Sequence, residues 1–96
     1  MIATEVKHQV NLIDGEFTPS EAKDVINTLI REKVNFHKLN RLSMWEGDTQ
    51  SDTSFDDGRI SQLLQSKEDF IQVYNKAKAA GKKVKLTGVV HIELID

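Results

Sequence analysis

The chain has 96 residues, 39% of them hydrophobic, with thirteen basic and fifteen acidic side chains and a formal net charge of −2. That balance gives no general attraction to nucleic acid or an anionic membrane, and the absence of cysteine excludes disulfides, thiolate metal sites and a cysteine nucleophile. The length fits a single domain over 1–96. No apolar run approaches the roughly 20 residues of a membrane span, and MIATEVKHQV lacks a signal-peptide pattern, so a soluble cytoplasmic protein is expected.

From Ile2 to Leu12 the even positions are mainly apolar and the odd ones polar, the period of a half-buried strand. His8 falls on the apolar side, where a core or rim histidine is the expected role. Asp14-Gly15 has the composition of a turn that ends the strand.

Asp14 to Val34 carries the strongest local signal. Thr18 and Glu21 have capping-box spacing, Pro19 takes the first helical position, and Phe17 can fold onto Ala22 as a staple. Ala22, Val25, Ile26, Leu29 and Ile30 then follow at the steps of one helical face. Read from Asp14, DGEFTPSE resembles the back half of an EF-hand calcium loop, with Gly15 at the turn and Glu21 at the bidentate position. In that register the first two ligand positions are Val10 and Leu12, which supply no side-chain oxygen, so no calcium is expected.

Val34-Asn35 interrupts the pattern, and Phe36, Leu39, Leu42 and Trp45 recur every third residue, which predicts a separate short helix over 36–45. Two helices joined this tightly raise the possibility of a helix-turn-helix, but the junction has no glycine and the second helix is too apolar to read a groove. EGDTQSDTSFDDG, over 46–58, holds five acids and one large apolar residue, Phe55, and predicts a mobile acidic loop. Its aspartates show no metal-ligand spacing.

A long helix follows, capped by Asp57. Its stripe runs through Ile60, Leu63, Leu64, Lys67, Ile71, Tyr74 and Ala77, widened by Phe70 and Val73; a second capping-type signal at Ser66 predicts a restart or kink, and Gly81 ends the helix. From Lys82 to Ile95 the alternation returns, predicting a second strand with Gly88 as a bulge or close approach. His91 and Glu93 share a face there but lack a third ligand or a nucleophile. An exposed polar pair is the expected reading.

These elements predict an α+β fold in the order β-α-α-loop-α-β. The two terminal strands pair in one small sheet, with an antiparallel orientation favoured, and three helices cover its even-numbered face. No phosphate-cradling loop, nucleophile elbow or metal spacing is present, so no catalytic residue, cofactor or metal is expected. The leading expectation is a structural or interaction module that self-associates as a homodimer, with the apolar stretch of Val89, Val90, Ile92 and Leu94 as its open edge. The alternative is a non-specific nucleic-acid or anionic-partner binder through Lys76, Lys78, Lys82, Lys83 and Lys85, a run with no acid between Asp69 and Glu93. An enzyme is the least supported class, and neither His8, His37, His91 nor Glu93 has an assigned role.

Overall fold

The computed structural model describes residues 7–96. Among them are two strands and two helices: β1 (Lys7–Phe17), α1 (Pro19–Gly47), α2 (Ser54–Ala80) and β2 (Val84–Glu93). The α+β class holds, and the terminal strands pair antiparallel in one two-stranded sheet. The helix count is two where three were expected.

The capping box that starts α1 is complete. The Thr18 N–H donates to Glu21 Oε1 at 2.9 Å, and the Glu21 N–H donates to Thr18 Oγ1 at 3.2 Å. No break occurs at Val34-Asn35; α1 runs unbroken for 29 residues. Asparagine inside a helix costs only a few tenths of a kcal/mol relative to an average residue, and α2 packing alongside overrides it. The period-3 recurrence over 36–45 misleads for a geometric reason: each third residue steps back about 60° on a 3.6-residue helix, so the four residues fan out. Phe36, Leu39, Leu42 and Trp45 are all exposed. The residues that turn inward are instead Ile30, Val34, His37, Arg41 and Met44, at alternating steps of four and three.

The same alternation marks α2 from its cap Thr53, where Asp56, Ile60, Leu63, Lys67, Phe70, Tyr74 and Ala77 face inward. Two antiparallel helices meeting along such a narrow stripe form a coiled-coil seam. Helix α2 passes Ser66 without interruption and starts at Ser54, after Thr53, rather than at Asp57. The acidic loop expected over 46–58 is therefore a connection over 48–53, because both flanks are helical. At the far end Gly81 takes the left-handed conformation (φ 64°), and the Lys82 N–H bonds back to the Ala77 carbonyl at 2.9 Å.

The strand boundaries shift as well, and the part of the expected first strand over residues 2–6 lies outside the described residues. Asp14-Gly15 is no turn: β1 continues to Phe17, pairing Gly15 with Leu86 and Phe17 with Val84. The Phe17 ring lies over Gly15, 3.6 Å from where a Cβ would stand. A bulge falls between Asn11 and Ile13, opposite Val89 and Gly88, so Leu12 is the extra residue. One added residue inverts the facing of all that follows. His8 and Val10 thus share a side with Ile13, Gly15 and Phe17, and with the even residues of β2. The even-numbered inner face expected for both strands holds for β2 and for β1 only before the bulge. Gly88 is opposite Ile13 and close to it, 3.8 Å from its would-be Cβ to Cδ1, while the bulge itself sits in the other strand.

Little of this apolar surface is enclosed. The helices pack on each other and the strands on each other, but the sheet touches α1 only slightly. The buried apolar residues are Ala22, Val34, Ile60 and Ala77, and no large side chain is fully buried among the described residues. The radius of gyration is 17.4 Å, against about 12–13 Å for a compact chain of this length. The accessible surface is 7321 Å², against about 5,600 Å² for a folded monomer of this mass.

Candidate functional site

Among the described residues, the buried polar side chains His37, Thr53 and Asp56 gather at the closed end of the helical hairpin. The connection that brings them together is held by its own side chains. The Gln50 N–H donates to Asp48 Oδ1 at 2.9 Å, the Ser54 N–H to Asp52 Oδ1 at 2.9 Å, and the Ser51 hydroxyl to the Met44 carbonyl at 3.1 Å. This turn sets His37, Asn40 and Arg41 of α1 against Asp56 and Asp57 in the first turn of α2, where carboxylates also suit the helix dipole.

His37 and Asp56 are each 3% exposed, and His37 Nδ1 lies 2.8 Å from Asp56 Oδ1. Asn40 Nδ2 donates to the other carboxylate oxygen at 2.9 Å. The hydrogen bond from His37, aided by Asn40, holds the Asp56 carboxyl below its usual range against the opposing effect of burial. Facing a carboxylate oxygen, which can only accept, the imidazole Nδ1 is the donor side of this hydrogen bond. Beside it Arg41 Nη1 donates to Asp57 Oδ1 at 2.7 Å and Thr53 Oγ1 to Asp57 Oδ2 at 3.0 Å. The Arg41 guanidinium bond, then the Thr53 hydroxyl, lowers Asp57 in turn. The backbone N–H of Ser54 does the same for Asp52.

A carboxylate orienting an imidazole is half of a hydrolytic triad, but the remaining half is missing here. His37 Nε2 is buried without a partner, and the Phe36 and Phe55 rings present edges to the imidazole at centroid distances of 5.3 and 6.2 Å. The Thr53 hydroxyl, at the end of the connection, is already committed to Asp57. A buried hydrogen-bonded pair on a coiled-coil seam fits another role, fixing which residues of the two helices stand opposite each other. Sequence reasoning left His37 unassigned. Its position in the four-three spacing with Val34, Arg41 and Met44 was the available signal.

The other singled-out residues are dispersed. Lys7 pairs with Glu93 and Gln9 with His91 across the sheet, at 3.6 and 3.4 Å, so His91 and Glu93 form two exposed cross-strand polar pairs on one face. His8, opposite Ile92, projects from the other face and joins neither. These residues border a shallow hollow of about 490 Å³ at the strand tips. No group of three or more His, Asp or Glu residues could hold a metal among the described residues, and no described helix is long and apolar enough to cross a membrane.

The basic run is divided. Lys76, Lys82 and Lys83 border a hollow of about 320 Å³ floored by Val73, Ala77 and Val84. Lys78 instead lies over the Tyr74 ring, which Lys23 also covers, at 5.7 and 4.7 Å from its centroid. Lys85 stands opposite Glu16 in the sheet register. Val89, Val90 and Ile92 are exposed along β2, and Leu94 is exposed just beyond its end. No protein-family model matches this chain, and neither a curated protein nor a solved structure matches it at a significant level.

Proposed function

We propose that the chain is a structural or interaction module whose working form is a two-fold assembly of its own copies, in a soluble cytoplasmic setting. The observation that supports it is the surface left uncovered. The excess over a folded monomer is roughly 1,700 Å², more than the roughly 800 Å² that one side of a standard protein–protein interface covers. A sheet of two strands is marginal alone and keeps two free edges, and along β2 Val90 and Ile92 lie exposed on one face and Val89 on the other.

Binding of nucleic acid or another anionic partner through Lys76, Lys78, Lys82, Lys83 and Lys85 has less behind it, because cation–π stacking and a facing glutamate engage two of the five. Light scattering tests the main reading. A mass near twice 10.9 kDa at tens of micromolar is expected, and Ile92→Lys should lower it. A mass near that of one chain would sink the proposal.

A further inference from the structure

The seam between the helices carries a charge where its pattern calls for an apolar residue. Lys67 is half-buried, at the three- and four-residue steps with Leu63, Phe70 and Tyr74. A lysine at such a position lowers the stability of a coiled coil, and a partly buried ammonium needs a counter-charge to offset its lost hydration. Among the described residues no carboxylate lies within ion-pair distance of Lys67 or of Lys38. What shares the hollow beside Lys67 is more positive charge. Asn27, Arg31 and Lys38 stand at four- and seven-residue steps along one side of α1. With Asn35 they border a hollow of about 160 Å³ beside the buried Val34, with Lys67 on the α2 side. The acids nearby do not neutralise it. Glu32 meets Arg31 only at Nε, at 3.8 Å and with both side chains exposed, and Glu68 borders with Lys67 a second hollow that no α1 residue lines.

We infer that this hollow binds a phosphoryl group, which supplies the counter-charge the seam lacks. Lys67 and Lys38 act as point charges. Arg31 offers the fork of its Nη groups, which meet no described carboxylate, and the Asn27 and Asn35 carboxamides add N–H donors. Three cations around one small space suit a compact oxyanion of more than one charge better than a carboxylate, which carries one. The hollow has the volume of about five water molecules. That admits a phosphoryl group, and it falls below the roughly 300 Å³ at which pockets enclose larger ligands. The remainder of a phosphorylated molecule would therefore lie outside, along the exposed Arg31 and Lys38. The site shares no residue with the Lys76–Lys85 run and does not depend on self-association.

Calorimetric titration with inorganic phosphate, and separately with glycerol 3-phosphate, tests the site at an ionic strength held constant with sodium chloride. Saturable binding of one anion per chain is expected. Lys67→Met keeps an apolar side chain of similar length in the seam and should weaken that binding about ten- to hundredfold, the loss of one charge-assisted contact. In chloride alone the same variant should melt higher than the unmodified chain, because like charges no longer meet. Lys38→Gln, at an exposed position, repeats the binding test if Lys67→Met does not fold. Comparable binding of both probes supports a phosphomonoester held by its phosphoryl end, and binding of inorganic phosphate alone supports a free-ion site. No saturable binding of either probe, or an affinity unchanged in the folded variants, overturns the inference and leaves Lys67 a structural residue of the seam.

Discussion

At the scale of single residues, stability is concentrated at a few fixed points. The Thr18–Glu21 box satisfies backbone groups at the start of α1, and Thr18→Ala should cost about 1 kcal/mol. Gly81 holds a left-handed conformation with nothing near its would-be Cβ, so Gly81→Ala should cost about 1–2 kcal/mol through backbone strain alone. Urea midpoints check both. The aspartates at the hairpin's closed end set an acid limit. Asp56 and Asp57 titrate below their ordinary 3.8 in the folded chain, held by His37 and Arg41 respectively. A depressed folded pKa contributes stability that is fully present above the unfolded value and lost as pH falls through the folded one. The melting temperature should therefore decline below about pH 4, and Asp56→Asn should flatten that decline. An acid limb unchanged in Asp56→Asn would mean that the His37 hydrogen bond is not what holds this carboxylate.

At the scale of elements, the hairpin depends on its seam and not on the apolar content of its helices. Ile60 is buried against α1 while Leu39 is 67% exposed on the far side. Ile60→Ala should cost roughly 2–5 kcal/mol through the cavity it leaves, and Leu39→Ala less than about 0.5 kcal/mol, as for most surface substitutions. Equal losses in denaturant melts would reverse the assignment of the helical faces. The His37–Asp56 pair belongs to this scale too. It sits where the two helices must agree on register, with the Phe36 and Phe55 rings in edge-to-face arrangement with the imidazole.

At the scale of the whole molecule, the extended shape bears directly on stability. A chain that encloses four apolar residues among the described ones has little burial to set against about 1–2 kcal/mol of backbone entropy per ordered residue. If a second copy provides the missing burial, folding and association are coupled, and the melting temperature must rise with protein concentration. A tenfold dilution that leaves the transition in place would show that one chain is stable by itself.

The sequence alone determined the class of the elements and their most local features: the capping box, the glycine stop after α2, the strand character of both ends and the apolar side of β2. Each depends on residues within a turn or two of each other, so the pattern carries the outcome. The sequence did not reveal the bulge at Leu12, the continuity of α1 through Asn35, or the start of α2 at Ser54. Those depend on what lies opposite. Leu12 is extra only because of the β2 register, and the first turn of α2 forms where Asp56 and Asp57 meet His37 and Arg41 across the hairpin. The His37–Asp56 pair joins residues nineteen apart, beyond the reach of any local period. Tertiary structure also decided which apolar residues are buried, because a period-3 recurrence marks apolar content but not the direction in which a neighbouring helix lies.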